Sequence, residues 1–130
     1  MTAAAAYRRT QNETASKERL MVLLFETALR HIRASATAFD EKRFAEALAS
    51  CGRASDIVSE LLATLRRDQA PELCDQLADL YAFVLSRLLR ATTARSSAPL
   101  KEAERVFEPI ALGFAEAVRQ LESQGAPVGR

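Results

Sequence analysis

The sequence predicts an all-α protein, folded as an antiparallel up-down four-helix bundle with a loose N-terminal leader. Ala and Leu are abundant, whereas Gly and Pro contribute four residues each and aromatic residues only 6%, and this composition favours helices over strands. Apolar residues also recur every three or four positions in four stretches that short polar joints separate. Short joints make consecutive helices antiparallel neighbours, and 130 residues suffice for one such domain.

The first helix is predicted over residues 16–39. Ser16 can accept a hydrogen bond from a backbone N–H two or three residues further on, which caps the start of a helix. The polar residues 40–42 then end it. Its apolar stripe consists of Met21, Phe25, Ala28, Ile32, Ala36 and Phe39.

The second and third helices are predicted over residues 43–65 and 71–92. Gly52 lies inside the second helix, where it costs up to about 1 kcal/mol relative to Ala. Pro71 suits the first turn of the third helix, because a backbone N–H at that position would have no helical acceptor. The same alternation of apolar and polar positions runs through both segments.

The fourth helix is predicted over residues 99–124, and it has the most regular apolar stripe. Pro109 interrupts this stripe and removes one backbone hydrogen bond. The apolar spacing nevertheless continues on both sides of Pro109. The pattern therefore predicts one bent helix rather than two short ones.

The two ends of the chain lie outside the bundle, which is predicted to span residues 16–124. Residues 1–15 offer no apolar stripe and are expected to form a flexible leader whose one large apolar contact is Tyr7. Residues 125–130 are expected to form a frayed tail.

Six consecutive apolar residues, Leu20 to Phe25, occur near the start of the first helix. Successive residues are about 100° apart on a helix, so this run surrounds the helix and one neighbour cannot bury all of it. Met21 and Phe25 are predicted to face the core. Leu20 and Leu24 are predicted to remain available for a partner.

Charge and hydropathy exclude several classes of protein. A net charge of +1 gives no bulk electrostatic attraction for nucleic acid or an anionic membrane. No apolar run reaches the roughly 18 residues of a membrane span, so we expect a cytoplasmic protein without membrane insertion. Cys51 and Cys74 have no metal-binding spacing and are interpreted as small buried apolar residues.

The chain offers almost no constellation for catalysis, and it is predicted not to be an enzyme. It contains a single histidine, His31, and we assign no catalytic residue, no cofactor site and no metal site. One alternative stays open, because His31-Ile32-Arg33-Ala34-Ser35 resembles the His-x-x-Lys-Gly motif of histidine phosphotransfer domains. Arg33 replaces the usual Lys there, and Ala34 replaces the usual Gly.

Several motifs follow one another in an order that resembles one known family. Tyr7 is followed by Thr14-Ala15-Ser16 and by the apolar run, which continues as Glu26-Thr27-Ala28. The matching places on the second and third helices hold Asp56-Ile57-Val58-Ser59-Glu60-Leu61 and Leu77-Ala78-Asp79-Leu80-Tyr81. Over roughly residues 5–120 the chain is similar to the flagellin export chaperones of the FliS type.

The chain differs from the usual motifs of this family at several positions, so it resembles a divergent member. Phe25-Glu26-Thr27 occupies a place where the family often has Tyr-Asp-Gly, and Phe114 falls near the place of a frequent Trp. These differences leave open a changed client.

The resemblance implies a cytoplasmic chaperone that binds the disordered C-terminal segment of flagellin and prevents its premature polymerisation. It also implies delivery of this client to a component of the flagellar type III export gate, and it leaves a homodimer open. A client that becomes helical on binding needs an apolar groove that the bundle does not fill itself. The remaining alternative is a helical-bundle adaptor without a flagellar role.

Apolar positions beside the stripes are the candidates for this groove. In the family the N-terminal leader with its Tyr can cover the groove, and Tyr7 is the matching residue here. The predicted groove is lined by Leu20, Leu24, Ile57, Leu61, Tyr81 and Leu85.

Overall fold

The computed structural model describes residues 2–125, and these form four helices joined by short turns. They are α1 (Ala3–Asp40), α2 (Phe44–Ala63), α3 (Pro71–Ala94) and α4 (Ala98–Gly125). The described residues contain no strand. The all-α four-helix prediction is therefore confirmed, while the predicted tail beyond Gly125 lies outside the described residues.

Each helix packs against the helix before it and the helix after it, and α4 closes the ring by packing against α1. The direction of α4 relative to α1 follows from two ion pairs. Arg19 pairs with Glu122 at 2.5 Å, and Arg33 pairs with Glu104 at 2.6 Å. Because the partner number falls as the α1 number rises, the two helices are antiparallel, as an up-down bundle requires.

The core is centred on Phe25, which α1 directs into the middle of the bundle. Its ring centroid lies 6.5 Å from that of Tyr81, 5.7 Å from that of Phe107 and 5.1 Å from that of Phe114. These distances are in the range of favourable aromatic pairs. Phe25 therefore connects α1 with both α3 and α4, and the predicted inward orientation of this residue is confirmed.

The start of α1 differs from the sequence prediction. The helix begins at Ala3, where the Thr2 hydroxyl oxygen accepts a hydrogen bond from the backbone N–H of Ala5 at 3.1 Å. Ser16 lies inside the helix and does not cap it, and residues 3–15 are helical rather than loose. The alanines after Thr2 are the best helix formers, and a helix that is already nucleated extends at little cost even without an apolar stripe.

The other helix bounds follow the predicted ones closely. Lys42 and Arg95 occupy left-handed backbone conformations, with φ of 62° and 50°, where the chain turns after α1 and after α3. α4 continues through Pro109, as predicted. Pro109 is exposed, so water can reach the carbonyl of Arg105, which loses its helical donor.

Among residues 2–125, no helix is both long enough and apolar enough to cross a lipid bilayer.

Candidate functional site

Large apolar side chains remain exposed on every helix of the bundle. Exposed apolar residues that lie next to one another mark interaction surfaces more often than isolated ones do. The exposed set consists of Tyr7, Leu20, Leu23, Leu48, Leu73, Leu80, Phe83, Leu89, Leu112 and Leu121.

One apolar surface extends from the outer side of α1 to the edge where α1 meets α2. Leu20 and Leu23 are 56% and 52% exposed, and the neighbouring Leu24 is half-buried against the core. Ile57 of α2 is also half-buried. We call these four residues the α1–α2 surface.

The register between α1 and α2 places Ile57 on this surface. The Ser35 hydroxyl donates to the carbonyl oxygen of Ala47 at 2.8 Å, which fixes the level of one helix against the other. In antiparallel helices, moving ten residues along from this contact brings Ile57 to the level of Phe25, next to Leu24. Residues of both helices therefore contribute to one patch.

Two residues predicted for the groove lie in the core instead. Leu61 is 1% exposed and Tyr81 is 2% exposed. Burial raises the pKa of the Tyr81 hydroxyl to about 12, and its ring packs on Phe25. The prediction was wrong for both residues, because the buried stripes of α2 and α3 are rotated toward them and no partner can reach them.

Leu85 is half-buried, but it belongs to a different part of the surface. The Cys51 thiol donates to the carbonyl oxygen of Leu88 at 3.3 Å, which sets the level of α2 against α3. One turn from this contact, Leu85 lies beside α2 on the side away from α1. The predicted groove residues that share the α1–α2 surface are therefore Leu20, Leu24 and Ile57.

Sequence reasoning missed a second apolar surface, where α3 meets α4. Leu80 and Phe83 are both partly exposed on α3, and Val106 and Ile110 are half-buried on α4. The apolar stripe of the third helix consists of Leu73, Leu77, Leu80, Val84 and Leu88, and this pattern predicts a core position for Leu80. Its position at the edge of that stripe, three residues before Phe83, is the signal that could have revealed this surface.

Arg87 lies at one end of this second surface, next to Phe83. Its guanidinium lies 5.6 Å from the centre of the Phe83 ring, and its Nη1 lies 3.8 Å from a carboxylate oxygen of Glu102. The Nε of Arg87 is buried and has no hydrogen-bond acceptor among the described residues. The pair with Glu102 also fixes the register, which places Phe83 at the level of Val106 and Leu80 at the level of Pro109, next to Ile110.

A family model described as "Flagellar protein FliS" matches residues 1–121 of the chain. The chain belongs to the FliS family. This is a family of flagellar export chaperones and not of enzymes, so the sequence resemblance is confirmed. No match was found among curated proteins.

His31 also lies where α1 meets α2, and it is half-buried. Burial is the largest cause of its lowered pKa, and the positive charges of Arg53 and Arg30 lower the pKa further. The FliS family match favours a chaperone over a histidine phosphotransfer domain, and no contact of His31 in the described residues favours phosphotransfer.

Tyr7 does not cover the α1–α2 surface in this FliS-family chain. It is 54% exposed, and its hydroxyl oxygen accepts a hydrogen bond from the Gln11 side-chain amide at 2.9 Å. Because α1 is continuous, Tyr7 lies about 20 Å along the helix from Leu20. A role for Tyr7 as a lid stays a prediction, and it requires α1 to unwind between these two residues.

Proposed function

We propose that this protein is a cytoplasmic export chaperone that binds the disordered C-terminal segment of flagellin. Binding keeps that segment from polymerising early and delivers flagellin to a component of the flagellar type III export gate. The observation that carries the proposal is the α1–α2 surface, with Leu20 and Leu23 more than half exposed on a bundle whose core is already filled. The family match supports the general role in flagellar export.

The chemistry of the α1–α2 surface suits an amphipathic helix. A helix that binds in a groove inserts apolar side chains one and two turns apart, and Leu20 and Leu24 are one turn apart on α1. The client segment is disordered when free, so binding must also order it. That ordering costs of the order of 2–5 kcal/mol.

The magnitudes indicate that the client needs more than one surface. Burying a whole Leu or Ile side chain contributes roughly 1.5–3 kcal/mol. About half of that remains available at Leu20 and Leu23, and less at the half-buried Leu24 and Ile57. The α1–α2 surface alone therefore offsets little more than the ordering cost, and a second contact such as the one beside Leu80 and Phe83 supplies net affinity.

A chaperone of this kind prevents polymerisation by covering the segment through which flagellin subunits associate. The complex then presents folded chaperone and bound client together to the export gate. A homodimer of the chaperone stays a prediction.

The proposal is tested by calorimetry with a peptide of the C-terminal segment of flagellin from the same genome. Leu20→Glu combined with Leu23→Glu is expected to weaken binding at least about tenfold, because two charges would enter an apolar contact. Leu112→Glu is the matched control, since Leu112 is 61% exposed on α4, away from the α1–α2 surface.

The control is expected to bind within about twofold of the wild type. Absence of binding by the wild-type protein would overturn the proposed function. An equal loss of affinity in the double variant and in the Leu112→Glu control would overturn the assignment of the α1–α2 surface as the client-binding site.

A further inference from the structure

Three basic side chains lie together beside the α1–α2 surface. Arg30 and His31 are on α1. The register set by the hydrogen bond between Ser35 and Ala47 brings Arg53 of α2 to the level of Leu29, within one turn of His31. Both arginines are exposed, and His31 is half-buried between them. We call these three residues the basic cluster.

The two arginines have no carboxylate partner among residues 2–125. The guanidinium of Arg30 donates to the hydroxyl oxygen of Thr27 at 3.1 Å, and no salt bridge within the described chain includes Arg30 or Arg53. Arg33, by contrast, lies on the opposite edge of α1, where Glu104 and Glu108 of α4 pair with it. The cluster therefore holds two guanidinium groups that form no salt bridge with the described residues at the α1–α2 contact.

The carboxylates nearest the cluster are Glu26, four residues before Arg30 on α1, and Asp56, three residues after Arg53 on α2. Within the described chain, neither forms a salt bridge with these arginines. Asp56 and Glu60 are one and two turns beyond Arg53, toward the apolar end of the α1–α2 surface, and both are exposed. Glu46 lies two turns the other way and pairs with Arg43. None of these carboxylates is among the causes that shift the pKa of His31.

The basic cluster and the apolar patch follow one another along the same side of α1. Leu20, Leu24 and His31 fall within a narrow sector of the helix, because steps of four and seven residues return close to the same side. Seven residues correspond to about 10 Å, or two helical turns, between Leu24 and His31. The contact between α1 and α2 is thus apolar at one end and cationic at the other.

We propose that the basic cluster binds a carboxylate of the client helix, and so fixes the register and direction in which that helix lies on the bundle. The client would carry an Asp or Glu about two turns from the apolar side chain that packs on Leu24. This inference rests on the proposed function and specifies the chemistry of its client. Complementary charges of this kind contribute more to register and association rate than to total affinity.

An acidic helix fits this contact better than a polyanion does. The cluster has two guanidinium groups and one histidine and adjoins an apolar patch, whereas nucleic acid needs an extended array of cations along its backbone. A net charge of +1 provides no such array.

The inference predicts a pH dependence of binding with a definite sign. In the free protein, burial and the two arginines hold the pKa of His31 below its usual value. A bound carboxylate favours the protonated imidazole and raises that pKa, so the complex takes up protons. Affinity should therefore increase as the pH falls from about 8 to about 6, a range in which the client carboxylate stays ionised.

The test uses the full chain and the same flagellin C-terminal peptide at low and at moderate salt. Arg53→Gln is expected to weaken binding about three- to tenfold at low salt and less at moderate salt. His31→Gln is expected to remove the increase in affinity at low pH. Arg90→Gln is the matched control, because Arg90 is an exposed arginine of α3 with no salt bridge to the described residues.

The outcomes separate this inference from the proposed function. If the peptide binds the wild type but Arg53→Gln behaves like Arg90→Gln, the inference is wrong and the proposed function stands. If the affinity of the wild type is unchanged or falls at low pH, the inference is also wrong. If the peptide does not bind the wild type at all, both are overturned.

A charge exchange then identifies the carboxylate. Arg53→Glu should weaken binding more than Arg53→Gln, and replacing the matching client carboxylate by Lys should restore part of the loss. Failure of every client Asp or Glu to restore binding to Arg53→Glu would contradict a direct contact.

Discussion

At the scale of single residues, Phe25 connects the α1–α2 surface with the core. It is the last residue of the apolar run Leu20 to Phe25, and its ring contacts those of Tyr81, Phe107 and Phe114. Leu23, two residues earlier, is more than half exposed. The same short run therefore supplies both the central core contact and part of the α1–α2 surface.

Truncation separates these two roles. Phe25→Ala is expected to lower the free energy of unfolding by about 3–5 kcal/mol, because it leaves a cavity among three aromatic rings. Leu23→Ala should lower it by less than about 1 kcal/mol. Urea denaturation measures both values, and similar losses for the two variants would contradict the division of the run into core and surface.

At the scale of helices, the N-terminal part of α1 extends beyond the residues that the helix buries in the bundle. Residues 3–10 are all exposed, and of the next residues only Gln11 and Ala15 are half-buried before Glu18. The sequence failed here because an apolar stripe reports burial, while residues 3–15 form a helix through propensity and continuity with α1. Thr14-Ala15-Ser16 looked like a helix start, although the chain is already helical when it reaches Ser16.

Removing residues 2–15 tests what this segment does. Because it buries little apolar surface, its removal should change the melting temperature by less than about 2 °C. If Tyr7 acts as a lid after local unwinding, the truncated protein should bind the flagellin peptide about two- to threefold more tightly, since a competitor has been removed. Unchanged affinity would contradict the lid, and a large drop in melting temperature would show that the segment stabilises the bundle.

At the scale of the whole molecule, the four stripes predicted the helices and their order because apolar periodicity reports burial directly. They did not predict which flanking positions stay exposed. Leu61 and Ile57 both lie beside the α2 stripe, yet Leu61 is buried and Ile57 is half-buried. Whether a flanking position is buried depends on how each helix is rotated about its own axis against its neighbours. The sequence of one helix alone does not determine that rotation.

The same limit explains the second surface. Leu80 and Phe83 are exposed because α4 presents Val106 and Ile110 at their level without covering them. The register comes from contacts between helices, such as that of Arg87 with Glu102. The basic cluster likewise exists only because α2 brings Arg53 to His31.

Binding of the flagellin C-terminal peptide to the α1–α2 surface can be observed by methyl NMR of the full chain, labelled at Leu and Ile side chains and titrated with that peptide. The methyl signals of Leu20, Leu23, Leu24 and Ile57 are expected to shift, because the client packs on them. The signals of Leu61, which is buried, and Leu112, which is exposed elsewhere, should shift much less. Binding that leaves the α1–α2 signals unchanged, or the absence of any shift, would contradict binding of the client to the α1–α2 surface.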